Sequence, residues 1–152
     1  MSHLILKQID RARTSIAKTL EDVSSEACNV IPEGFNNNIH WQLGHILVAA
    51  DMFILKGNEV APAEFKAFFS NGTKPADWSA DVPSVETVLA LLQKQAEVIQ
   101  GIDSSTFDTK LETPMFGNET VGDFAAIGAF HESFHAGQIH AMKRVVSGIL
   151  MK

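Results

Sequence analysis

His131 and His135 stand four residues apart, and a third histidine, His45, lies far from them in the chain. On a helix, at about 100° per residue, the pair projects from one face, one turn apart, and can reach a single metal ion. His45 sits among apolar neighbours and can face the same interior. Three neutral imidazoles suit Zn, Ni, Fe or Cu. With three protein ligands, positions stay open for water or substrate, which is the catalytic pattern rather than the structural one. An ion held there would lower the pKa of water or of a bound thiol and keep it as an anion. The competing reading is that each histidine is a hydrogen-bonded core residue, and spacing alone leaves both open. His40, five residues before His45, and His140, five after His135, each fall about 140° round the helix and do not join the set.

The segment His131-Glu132-Ser133-Phe134-His135 also has the H-E-x-x-H form, in which the glutamate of a zinc protease is the general base. No later ligand follows in a familiar spacing, and no sheet signal offers to hold an extended peptide. Glu132 lies about 100° from His131 and is expected to face solvent or cap a neighbouring helix. Gln138, seven residues after His131, shares its face and can orient a ligand or bond another helix. Glu132 and Gln138 are therefore only weak catalytic candidates. Trp41 can wall the pocket, with core packing the simpler role. Asp51 is too far round from His45 to be a ligand, and Gly137 reads as a close helix contact. Cys28 falls in an expected loop with nothing nearby to lower its pKa. Phe65, Phe68 and Phe69 can line an apolar pocket, although phenylalanines at helical spacing are more often core.

The elements that must position these side chains are helices. Leu4, Ile5, Ile9, Ala12, Ile16, Leu20 and Val23 form one apolar stripe, predicting a first helix from Ser2, as N-cap, to about Val23. A loop follows to Gly34. Asn36-Asn37-Asn38 supplies a cap for a second helix, whose buried face holds Ile39, Leu43, Ile46, Leu47, Ala50, Phe53 and Ile54 before Gly57-Asn58. Residues 60–82 are an irregular excursion with a short helix over Pro62 to Phe69. Ser84 caps a third helix that ends at Gly101. Residues 106–119 suit a short hairpin or an ordered loop. Thr120 with Asp123 resembles a capping box, opening a last helix from Val121 to about Ser147, with Gly148 as its stop. Its apolar face comprises Phe124, Ile127, Phe130, Phe134, Ile139, Met142 and Val146, and the small residues Ala125, Ala126, Gly128 and Ala129 invite a close helix contact. The expected fold is all-α, a four-helix bundle over residues 1–152 with the excursion between helices two and three.

Composition excludes several classes. Among 152 residues, 45% are hydrophobic and 20% charged, which a disordered chain does not show. A net charge of -6 argues against a general binder of nucleic acid or anionic membrane. The one dense basic group, Lys143, Arg144 and Lys152, reads as compensation of a helix dipole. The single cysteine cannot form an internal disulfide. No apolar run approaches the roughly 18 residues of a membrane span, and the first residues lack signal-peptide character, so the cytoplasm is the expected compartment.

Two segments carry a resemblance. Trp41-Gln42-Leu43-Gly44-His45-Ile46 resembles the second-helix signature of the DinB-like (DinB/YfiT) family, and His131 to Ile139 resembles its last-helix signature, H-x-x-x-H-x-G-Q-I. The resemblance covers nearly the whole chain. It implies a four-helix bundle with a divalent ion, Zn, Ni, Fe or Mn, on His45, His131 and His135. It implies neither polymerase activity nor DNA binding. Relatives include enzymes that transfer low-molecular-weight thiols and a thiol-dependent isomerase, and homodimers are common among them. The expected activity is thus thiol S-transfer onto a small electrophile, with the thiol as cosubstrate. A metal-binding module without turnover and a metal-dependent hydrolase are the alternatives. Relatives often carry a second histidine directly after the tryptophan, where this chain has Gln42.

Overall fold

The computed structural model of the chain describes residues 2–150, with side chains from residue 3 to 148. Four long helices dominate: α1 (Ser2–Leu20), α3 (Ile39–Phe53), α5 (Val85–Gln100) and α6 (Val121–Leu150). Two short helices, α2 (Ser25–Asn29) and α4 (Lys66–Phe69), sit in the connections, and β1 (Lys110–Met115) pairs with β2 (Asn118–Thr120) as an antiparallel hairpin. The fold is mostly helical, as expected, with this small sheet added. No described helix is long and apolar enough to cross a membrane.

The caps lie where the sequence puts them. Asn38 accepts from Trp41 N–H at 2.8 Å, and Ser84 from Thr87 N–H at 3.2 Å. Thr120 and Asp123 form a reciprocal box, with bonds of 3.0 and 3.1 Å. Two boundaries differ. The first helix ends at Leu20, not Val23, because Ser24 accepts from Ala27 N–H and so caps α2 within the expected loop. The last helix runs past Gly148 to Leu150. A glycine stops a helix by turning left-handed, and Gly148 is not among the glycines with positive φ. The Ser2 cap and Lys152 lie outside the described side chains, while Lys143 pairs with Asp22 rather than only facing a dipole.

Helix α3 is buried almost all round, with Ile39, Leu43, Ile46 and Leu47 each at 0% exposure. Burying each such side chain contributes about 1.5–3 kcal/mol. Around it the core forms two apolar clusters. One holds Ile16, Leu47, Val88, Ala136 and Met142; the other Ile9, Ala50, Ile99 and Ala129. Along the four long helices, Arg13, Asp51, Gln95 and Glu132 fall between members of the two clusters, so a polar belt divides the core.

Helix α6 packs against α1 and α3. A Cβ on Gly128 would meet Phe53 and Ile54 side-chain atoms at 3.0 and 2.9 Å, so the small-residue stretch does seat α3 closely. Gly137, by contrast, has nothing within 4 Å and is not a packing contact. Phe130 and Phe134, expected in the core, are 72% and 55% exposed, and Leu4 is 52% exposed. The hairpin turns through Phe116 (φ 51°) and Gly117 (φ 77°). Two positive φ values suit the twist of a two-residue hairpin, but Phe116 has a Cβ, and the left-handed region costs it about 1–2 kcal/mol.

Candidate functional site

The fold brings His45 of α3 and His131 and His135 of α6 together, with one ring nitrogen from each lying within 4.8 Å of the others. His131 Nε2 is 3.1 Å from both His45 Nε2 and His135 Nε2. The other ring nitrogens explain this orientation. His45 Nδ1 lies 2.7 Å from the Phe69 carbonyl oxygen, and His135 Nδ1 is bonded to Gln42 Oε1. A carbonyl oxygen has no proton to give, so in both rings Nδ1 carries the hydrogen and Nε2 presents a lone pair. A single proton at His131 Nε2 serves one neighbour only, so the cluster is left with facing acceptors. A cation satisfies all three at once. For comparison, tetrahedral ligand nitrogens at about 2.0–2.1 Å from a zinc-type ion stand about 3.3 Å apart.

Burial pushes the His135 imidazole down to about 3 and His131 down to about 4, with the neighbouring imidazoles adding to the effect. His45 is also lowered by burial, opposed by its bond to Phe69. The rings are therefore neutral, the form in which imidazole binds a metal.

Each orientation has a local cause. Trp41 stacks on His45, centroids 4.5 Å apart and 12° between planes, and donates its indole N–H to Thr73 Oγ1 at 2.9 Å. It therefore walls the site as well as packing. Gly44 lets the Phe69 ring lie against α3, since a Cβ there would sit 2.3 Å from that ring. This approach brings the Phe69 carbonyl onto His45. Gln42, fully buried, donates to Asn37 Oδ1 at 2.9 Å and Gln138 Oε1 at 2.7 Å, which turns its own oxygen to His135. Gln138 thus acts through Gln42 rather than on the centre directly. Sequence reasoning noted Gln42 only as a departure from relatives. Its place beside the His135 ring was not legible, because the contact spans 93 residues of chain.

Glu132 does not face solvent. It is 1% exposed and takes a two-pronged ion pair from Arg13, Nη2 to Oε1 at 2.7 Å and Nε to Oε2 at 3.0 Å. Burial pushes its carboxyl upward and Arg13 opposes that. Arg13 also donates to Gln95 Oε1 and the Leu92 carbonyl. Gln95 in turn donates to Asp51 and the Leu47 carbonyl. Asp51 accepts from Val60 and Ala61 N–H besides, so it is a structural residue tying the excursion to α3. Glu132 is on a different side of α6 from the histidine pair, and the zinc-protease role has no base.

The remaining candidates fall outside the site. His40 is buried with Nδ1 bonded to Asn29 at 2.9 Å, and His140 lies in a groove beside α1. Cys28 lies on α2, 2% exposed, its thiol pushed up to about 11 by burial, so it is inert. Phe65 and Phe69 are core. The apolar lining beside the histidines comes instead from Phe53, Phe116, Phe124 and Phe134, in an open cavity of about 1010 Å³.

No curated protein matches the chain. A crystal structure described as a conserved protein from Enterococcus faecalis is similar in fold, with a TM-score of 0.66 at 16% identity, over 97% of this chain and 98% of that one. The sequence model of the DinB superfamily matches residues 8–139. On that match, together with the shared fold, the chain belongs to the DinB superfamily.

Proposed function

We propose that the chain is a divalent-metal-dependent enzyme that transfers a low-molecular-weight thiol onto a small electrophile. The thiol proton leaves to solvent, sulfur bonds to the electrophilic carbon, and the leaving group departs with its electron pair. The observation that carries the reading is the set of three Nε2 atoms facing one another in the lining of a cavity, with those of His45 and His135 fixed as acceptors. His45, His131 and His135 would hold the ion, which supplies a positive charge that keeps a bound thiol as its anion. Phe69 and Gln42 hold the rings of His45 and His135 in the ligating tautomer. Phe53, Phe124 and Phe134 keep the approach apolar, which strengthens charge interactions near the histidines. A volume of about 1010 Å³ has room for a thiol and a second small molecule side by side. We read the four long helices as a bundle of the family type, acting in the cytoplasm as a homodimer, a state that sedimentation velocity tests.

A hydrolase using Glu132 as base is disfavoured by its ion pair with Arg13. A metal-binding module without turnover is the second reading. Elemental analysis of tag-free protein beside His135→Ala is the first test, with near-stoichiometric metal expected in the parent and none in the variant. A panel of small thiols against a chromogenic electrophile then separates the readings. Turnover that disappears with the metal supports transfer; metal binding without turnover leaves the module; absence of metal after reconstitution with Zn, Ni, Mn and Fe overturns both.

A further inference from the structure

The histidine cavity has two unlike kinds of lining. One is aromatic. Phe53 and Phe124 lie 5.1 Å apart between centroids, and Phe116 extends the row parallel to Phe124, 6.3 Å away with 9° between planes. Phe134 lines the same cavity from further along α6. Phe124 is buried and Phe53 half-buried, but Phe116 is 78% and Phe134 55% exposed, although a core of 0% sites stands close by. Phe116 moreover takes a left-handed φ of 51° at the hairpin tip, where a glycine or asparagine would sit without strain. A strained, exposed aromatic held over a cavity is better explained by something that covers it than by folding.

The other is charged, with Lys56 and Lys66 beside the carboxylates of Asp51 and Glu59. Lys56 and Lys66 line the same cavity, and among the described residues neither has a carboxylate within ion-pair distance. The acids nearby are engaged. Glu59 accepts from Gly57 N–H at 3.1 Å, and the Lys66 charge is only a minor influence on it. Asp51 is held by Val60, Ala61 and Gln95.

We propose that the cavity takes a small molecule with a flat aromatic body and an anionic group, the ring against Phe116, Phe124 and Phe134 and the anion at Lys56 and Lys66. Its identification as the substrate rests on reading the histidine triad as the reactive centre; its binding does not.

The test uses two probes with the same aromatic body, anionic 1-anilinonaphthalene-8-sulfonate and neutral N-phenyl-1-naphthylamine, titrated by fluorescence on the full chain. The sulfonate is expected to bind about tenfold more tightly at low salt, a preference that shrinks in 1 M salt. Lys56→Gln with Lys66→Gln removes the preference and leaves the neutral probe's affinity unchanged. Phe116→Ala weakens both probes about fivefold. All three side chains are exposed, so the variants keep the parent's circular dichroism and melting temperature, which are measured alongside. Equal affinity of the probes, a preference that survives the lysine changes, or indifference to Phe116→Ala overturns the proposal. Metal content is measured on the same samples and on His135→Ala. Metal absent with the preference intact fails the metal reading alone; metal present without the preference fails this one alone.

Discussion

Two polar clusters are buried in this molecule, and they are built on opposite principles. The belt of Arg13, Glu132, Gln95 and Asp51 is complete: the guanidinium finds a carboxylate, an amide oxygen and a carbonyl, and the Gln95 amide finds two oxygens. Donors and acceptors match without any outside partner. The triad of His45, His131 and His135 is incomplete, because Phe69 and Gln42 fix His45 and His135 with Nε2 as an acceptor and the single Nε2 of His131 cannot donate to both. Both clusters draw on the same helix, with Glu132 beside His131 in sequence. A buried polar group that is satisfied within the fold holds elements in register. One left unsatisfied within the fold is a candidate cation site.

The comparison breaks most severely at the incomplete cluster. His135→Ala should cost at least about a thousandfold in metal affinity, roughly 4 kcal/mol, while the metal-free chain stays folded; calorimetric titration with zinc checks this. Glu132→Gln should do the reverse. It leaves the Arg13 charge without its partner and lowers stability by about 3 kcal/mol, read as a urea midpoint, with zinc affinity per folded molecule changed less than threefold. A large loss of metal in that variant would merge the two clusters into one unit. Gln42→Leu sharpens the boundary from the other side, since it frees the His135 ring without removing a ligand. Metal affinity should fall about 10–100-fold, a smaller loss than His135→Ala gives.

The smallest effect is on pH. His131 and His135 titrate near 4 and 3 in the folded chain, against an ordinary 6.5. The folded state therefore binds fewer protons than the unfolded one, and stability of the metal-free chain falls as pH drops from about 6.5 toward 4. Lowering pH from 7 to 6 should cost about 1 kcal/mol, after allowance for the cavity's open side. The slope should shrink in His135→Leu, and by about pH 8 it should vanish. Equal slopes in the two proteins would mean that the triad is not the titrating element.

Much of this was legible in the chain. Caps at Asn38, Ser84 and Thr120 are local chemistry, a side-chain oxygen within three residues of an unpaired N–H, so they need no tertiary information. The pairing of His131 with His135 follows from helical pitch alone. The motifs around Trp41 and His131 carried the family. The partners of Glu132, the role of Gln42 and the exposure of Phe130 and Phe134 were not legible. Helical periodicity tells which residues share a face of α6 but not which helix that face meets, and α6 meets more than one neighbour. The sequence by itself determined the four long helices, their starts and the histidine pair, because those depend on residues a turn or less apart. Tertiary structure alone decided that Arg13 would cross 119 residues of chain to neutralise Glu132, that the Phe69 carbonyl would aim His45, and that a hairpin would carry Phe116 over the cavity. Those contacts arise only where packed helices fix which faces meet, and no local propensity encodes that.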